Sequence, residues 1–191
     1  MENIIFISTL LILFLPLLSF VLQLTIAKKN GDKSDFLPLS IMGTVLLLSI
    51  YIFYNVVING GVHFHPINIS FPWIATSALS ISLGIYVDAI TSIMLCVVSL
   101  ISFLVHLYST EYMKGDKRYL RYFAFLGLFT FSMNGIILAD SLFMMYLFWE
   151  LVGLSSFLLI GFWFEKDSAA NASKKAFLTN RVGDIGMFIG M

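Results

Sequence analysis

Glu150 stands inside "MMYLFWELVGLSSFLLIGFWF", residues 144–164, where every other residue is apolar, small or aromatic. A charged side chain at mid-bilayer costs about 2.5–3.5 kcal/mol on insertion scales. A carboxylate placed there needs an offset: a proton that neutralises it, a basic partner, or a water-filled cavity. Each option describes a group that gains or loses a proton as its surroundings change, which is the chemistry of a proton relay. The competing reading is a polar residue that holds helices together. At helical spacing, Tyr146, Gly153, Leu154, Phe157 and Gly161 share the face of Glu150. The glycines on that face suggest contact with protein and not lipid.

A second set of charges lies in "NRVGDIGMFIGM". Arg181 and Asp184 are three residues apart, so they can meet on one helix face, either as a simple intrahelical pair or as part of an ion path. Lys174, Phe177, Arg181 and Asp184 form one stripe, and Gly183, Gly186 and Gly190 form a neighbouring stripe that lets another helix approach closely. His106 titrates in a useful range, so it is a candidate proton carrier or an interfacial hydrogen bonder. Asp88, in "YVDAITSIM", reads as a helix cap. His63 and His65 lack a third metal ligand and read as ordinary loop residues. Cys96 and the many Phe and Met residues read as packing and lipid contact. Ser155 and Ser156 lie in an apolar helix without a histidine base, and no nucleotide-binding loop, HExxH or nucleophile elbow is present.

The elements that must carry these residues are membrane spans. The sequence is 59% hydrophobic and 12% charged, with a mean hydropathy of +0.94. A soluble domain is about half apolar and about a quarter charged. Apolar runs of about 20 residues cross a hydrocarbon core, and helices satisfy the backbone inside it. Six spans are expected, at roughly 4–27, 37–58, 86–109, 120–138, 141–164 and 174–191. The first has no basic leader region and is too long for a signal sequence. The formal net charge of zero argues against a nucleic-acid-binding face. A single cysteine excludes an intrachain disulfide framework and a cysteine-based cluster.

Lys28, Lys29 and Lys33 follow the first span. Lys114, Lys117, Arg118 and Arg121 follow the third, and Lys166, Lys174 and Lys175 follow the fifth. These are ten of the eleven Lys and Arg residues. Basic loops therefore alternate, which places the odd-numbered exits in the cytoplasm and the N-terminus outside. The stretch 59–85 alternates apolar and polar residues around Gly60-Gly61, Pro66 and Pro72, and a short hairpin on the span ends is expected. The chain stops inside an apolar segment without a turn or cap, so a piece of a longer protein is expected.

"FWELVGLSSFLLIGFWF", followed by "AANASKKAFLTNRVGD", resembles the antiporter-like subunit L, or subunit 5, of respiratory complex I. "SFLVHLYSTEYMKGDKRYLRYFAF" is similar to the third and fourth helices of that family and their connecting loop. The resemblance is strong over residues 80–191 and covers residues 1–79 mainly in layout. It implies an all-α integral membrane fold, part of a larger antiporter-like bundle of inverted repeats. On this reading, residues 1–79 carry the first two helices and an outer loop, and residues 80–191 begin the proton-translocating domain. It further implies that Glu150 belongs to a proton channel and pairs with a seventh-helix lysine beyond Met191. Arg181 and Asp184 would tune its charge or couple it to a neighbouring subunit, and Lys175 matches a basic residue just before that motif.

The implied function is proton translocation in an NADH-quinone oxidoreductase. This chain would hold no cofactor, with NADH, FMN, iron–sulfur clusters and quinone in partner subunits of complex I. The expected setting is the lipid bilayer of a bacterial inner membrane. The rival readings are the large subunit of a multi-subunit sodium/proton antiporter and a membrane scaffold that moves no ions.

Overall fold

The computed structural model describes residues 2–30, 36–60, 64–75 and 80–191. In chain order the elements are α1 (Glu2–Asn30), α2 (Phe36–Phe53), a π-helical turn (Tyr54–Gly60), β1 (Ile67–Ala75), β2 (Ser80–Val87), α3 (Ala89–Tyr112), α4 (Tyr119–Leu138), α5 (Leu142–Ile160) and α6 (Asp167–Gly190). Among the described residues, five helices are long and apolar enough to span a membrane: α1, α2 with its π-helical turn, α3, α4 and α5. The sixth expected span forms a helix, but it falls short of that apolar character. Asp167, Lys174, Lys175, Arg181 and Asp184 all lie on it, and it begins at Asp167 and not near position 174. The reason is compositional, because the Ala-, Ser- and Lys-rich opening turns favour helix without favouring lipid.

The helices start where the sequence supplies caps. Asp88 caps α3 and accepts from the Thr91 backbone N–H at 2.7 Å. Ser141 caps α5 in the same way through Met144. The expected hairpin is present as the antiparallel pair β1–β2, with a register shift between Pro72 and Ile74.

α4 is the central helix and packs on α1, α3 and α5, while α2 packs on α1 and α3. The main apolar core joins Ile12 and Leu13 of α1, Val45 and Ile52 of α2, Leu95 of α3 and Leu138 of α4. One polar contact inside this core follows directly from the sequence. Pro16 has no N–H, so the Ile12 carbonyl one turn earlier loses its helical donor. Asn134 of α4 supplies the replacement, its side-chain N–H reaching the Ile12 carbonyl at 3.1 Å with both residues fully buried. A few residues away on α4, Gly127 lets this helix approach the Pro16 carbonyl, where an added Cβ would stand 3.0 Å from it.

The connections gather at two ends. At one end, Asn3 and Phe6 line a pocket with the approach to β1, the Ser141 hydroxyl donates to the Ser82 carbonyl at 3.0 Å, and Ile85 bridges Ala139. Gly84 is required there, because an added Cβ would meet the Asp140 carboxylate and the Ile69 carbonyl. At the other end, the Trp163 indole donates to Asp116 at 3.0 Å and Arg118 pairs with Glu165 at 3.3 Å. These contacts clamp the α3–α4 loop to the α5–α6 turn. The charged end and the hairpin end of the bundle are thus separate.

Candidate functional site

α6 packs chiefly on α5, and the intramembrane charges meet in that seam. Phe157 of α5 rests on Phe177 of α6, with ring centroids 5.4 Å apart. One turn further along, the Arg181 guanidinium lies over the Phe177 ring at 4.8 Å. From there it contacts the Glu150 carboxylate. The other Glu150 oxygen accepts from the Tyr146 hydroxyl at 2.7 Å. Asp184 has one oxygen 3.9 Å from the same Arg181 nitrogen, and its other oxygen accepts from the Trp149 indole N–H at 3.1 Å.

The side chains differ in exposure: Asp184 is 6% exposed, Glu150 20% and Arg181 39%. Two carboxylates therefore share one guanidinium, and fully ionised the group carries one surplus negative charge. In a low-dielectric seam such a surplus is costly unless a proton or another cation joins it. The arrangement is chemically suited to holding one exchangeable proton.

A groove of about 560 Å³ opens beside the cluster, lined by Trp149, Gly153, Asn180, Gly183 and Asp184. Of the two glycines expected to meet protein on the Glu150 face, Gly161 does so: an added Cβ would stand 2.9 Å from the Ser173 hydroxyl of α6. Gly153 instead faces this open groove, and added Cβ atoms at Gly153, Gly183, Gly186 or Gly190 would meet nothing within 4 Å.

The other candidates lie elsewhere. Lys175 is exposed and sits on a different face of α6 from Arg181. His106 lies in the α3–α4 seam and is 1% exposed. Its Nδ1 is 2.8 Å from the Ser102 carbonyl and its ring packs near Phe123. His63 lies outside the described residues, and His65 precedes β1.

Sequence reasoning pairs Arg181 with Asp184 along one helix but misses the reach of Arg181 to Glu150, which depends on how α5 and α6 pack. It also passes over Trp149. The available signal was an indole adjoining an intramembrane acid in "FWE", a donor in need of an acceptor.

Five apolar helices with an ionisable cluster in a helix seam define a multi-pass membrane protein. Residues 73–123 match the family described as NADH-Ubiquinone oxidoreductase (complex I), chain 5 N-terminus, and residues 139–191 match NADH:quinone oxidoreductase/Mrp antiporter, TM. The chain resembles the N-terminal portion of the antiporter-like subunit 5, or subunit L, of respiratory complex I.

Among similar proteins is NAD(P)H-quinone oxidoreductase subunit 5, chloroplastic, of Mesostigma viride, 43% identical over 83% of this chain and 24% of its own length. The same-named protein of Marchantia polymorpha is 37% identical over 93% of this chain and 27% of its own. That of Chara vulgaris is 50% identical over 63% of this chain and 18% of its own. The chain spans about a quarter of the length of the first two relatives. A chain in the structure of the membrane-bound sulfane sulfur reductase, an archaeal respiratory membrane complex, shares the fold. Its TM-score is 0.79 at 20% identity, over 95% of this chain and 36% of that one.

Proposed function

We propose that this chain is the N-terminal part of a proton-translocating membrane subunit of an NADH-quinone oxidoreductase, with residues 80–191 opening the translocating domain. The observation that carries this reading is the Tyr146–Glu150–Arg181–Asp184–Trp149 cluster, which spans two helices within the segment that matches the antiporter-like family.

Arg181 is the moving charge in this mechanism. Against Glu150 it favours the ionised carboxylate; withdrawn toward Asp184, it leaves Glu150 to take up a proton. Its return releases that proton. When uptake and release open to opposite sides of the membrane, one proton crosses per cycle, against about 2.3 kcal/mol per 100 mV. Trp149 holds Asp184 as the alternative partner, and Tyr146 orients Glu150. Redox events in partner membrane subunits drive the alternation through shifts in neighbouring charge.

NADH, FMN, iron–sulfur clusters and quinone belong to those partners on this reading; for the clusters, the one cysteine of this chain is short of a ligand set. Lys175 and His106, which lie outside the cluster, are further relay candidates on this reading. The proposed setting is a bacterial inner membrane, with the basic end in the cytoplasm and the N-terminus outside.

The second matched family description also covers Mrp antiporters, so a sodium/proton antiporter subunit is the rival reading. Glu150→Gln in the full-length protein within its complex tests the relay. Assembly should survive while quinone-coupled acidification, read with a pH-sensitive dye in membrane vesicles, falls sharply. Coupling that requires sodium and no quinone would favour the rival.

A further inference from the structure

The charged end of the bundle holds a second slot, on the far side of Phe157 from the Glu150 cluster. It has a volume of about 310 Å³ and lies between the first turn of α4, the end of α5 and the opening half of α6. Phe125, Phe157, Leu158 and Phe164 are among its apolar walls, and Arg121 and Lys174 are its cations.

Of the neighbouring basic residues, Lys117 and Lys175 lie outside the slot and three others are engaged. Lys114 pairs with Glu111 at 3.1 Å, Arg118 pairs with Glu165 and lies over Phe164 at 4.7 Å, and Lys166 lies over Trp163 at 5.2 Å. Among the described residues, Arg121 and Lys174 make no ion pair or side-chain hydrogen bond. Two cations without a counter-charge thus face a mainly apolar slot at a membrane-interface end of the bundle.

We propose that this slot binds one phospholipid with an anionic headgroup, its phosphate at Arg121 and Lys174 and part of an acyl chain along the aromatic wall. Two features select this occupant. The paired cations call for an anion, and basic pockets between membrane helices are suited to acidic headgroups. The phenylalanine and leucine walls call for hydrocarbon, which a free phosphate does not offer. The bound lipid would tie the start of α6 to α4 and α5 and so hold α6, the carrier of Arg181, in place from a distance. The binding site itself does not depend on the proton-relay reading.

The test is lipid retention by the full chain, purified in detergent and mixed with equal amounts of dioleoylphosphatidylglycerol and dioleoylphosphatidylcholine, then weighed by native mass spectrometry. One phosphatidylglycerol should be retained per chain in preference to phosphatidylcholine. In the Arg121→Gln/Lys174→Gln double variant this preference should fall about 30-fold, the expected effect of two interfacial cations on an anionic lipid. Lys117→Gln, outside the slot, should leave it unchanged. Leu158→Trp keeps both cations but fills the slot, and it should also release the lipid. Helical circular dichroism identical to wild type establishes that each variant is folded. Equal retention of the two lipids by wild type, or undiminished preference in the double variant, overturns the proposal. Retention by Leu158→Trp overturns the acyl placement. Displacement of the lipid by millimolar inorganic phosphate marks a free-anion site and rejects the lipid.

Discussion

The Arg181 guanidinium contacts Glu150 across the α5–α6 seam and stands 3.9 Å from Asp184 on its own helix. One cation is therefore placed to serve two acids. Arg181→Gln removes the switch, and proton transfer in vesicles of the assembled complex should fall to the level of the Glu150 variant. Arg181→Lys keeps the charge but loses the flat guanidinium that lies over Phe177, so it should restore only part of the activity. Full activity in Arg181→Gln would remove this residue from the mechanism.

Trp149→Phe keeps the ring's bulk but takes away the indole N–H that holds Asp184 at 3.1 Å. A hydrogen bond to a charged group contributes about 1.5–3 kcal/mol. Without it, Asp184 competes more strongly for Arg181, and the rate of proton transfer should drop while the assembled complex remains. Two separate assays distinguish this from lost assembly: acidification, read without uncoupler, falls, and quinone reduction, read with an uncoupler present, persists.

The contact of Asn134 with the Ile12 carbonyl gives a folding prediction. Asn134→Leu should destabilise the detergent-solubilised protein by about 1 kcal/mol, the usual range for hydrogen bonds between membrane helices. Pro16→Ala restores the backbone donor, so the double variant should lose less than the sum of its parts. Strictly additive unfolding energies would show that the carbonyl is not what Asn134 serves.

The clamp at the charged end should respond to acid. The Trp163 indole, and after it the Arg118 backbone N–H, hold the Asp116 carboxyl below the ordinary carboxylate range. A carboxyl lowered in the folded state stabilises fully above its unfolded value of about 3.9, and that contribution is lost as pH falls through the lower folded value. Trp163 fluorescence, followed in a Trp73→Phe/Trp149→Phe background, should therefore be steady at neutral pH and change below about pH 4. Asp116→Asn should abolish the change.

Much of this architecture is legible in the sequence, for reasons particular to each element. Asp88 announces α3 because a carboxylate before an apolar run has a free backbone N–H to accept from. The hairpin shows through its alternation and turn residues. The basic loops separate from those without Lys or Arg because the contacts at each end join loops of one class. Composition places the start of α6 too late, since the polar Ala-, Ser- and Lys-containing turns that open the helix at Asp167 read as loop. The Glu150–Arg181 contact and the openness of Gly153 are not legible, because both depend on the rotation of α6 against α5. A single helix's periodicity says which residues share a face and not which face meets which neighbour.

The most direct measurement of the central claim is the number of protons moved per electron pair by Glu150→Gln in the full-length protein within its complex. The account predicts an assembled enzyme that still reduces quinone while moving fewer protons per pair than wild type. An unchanged ratio, at unchanged assembly, would contradict it.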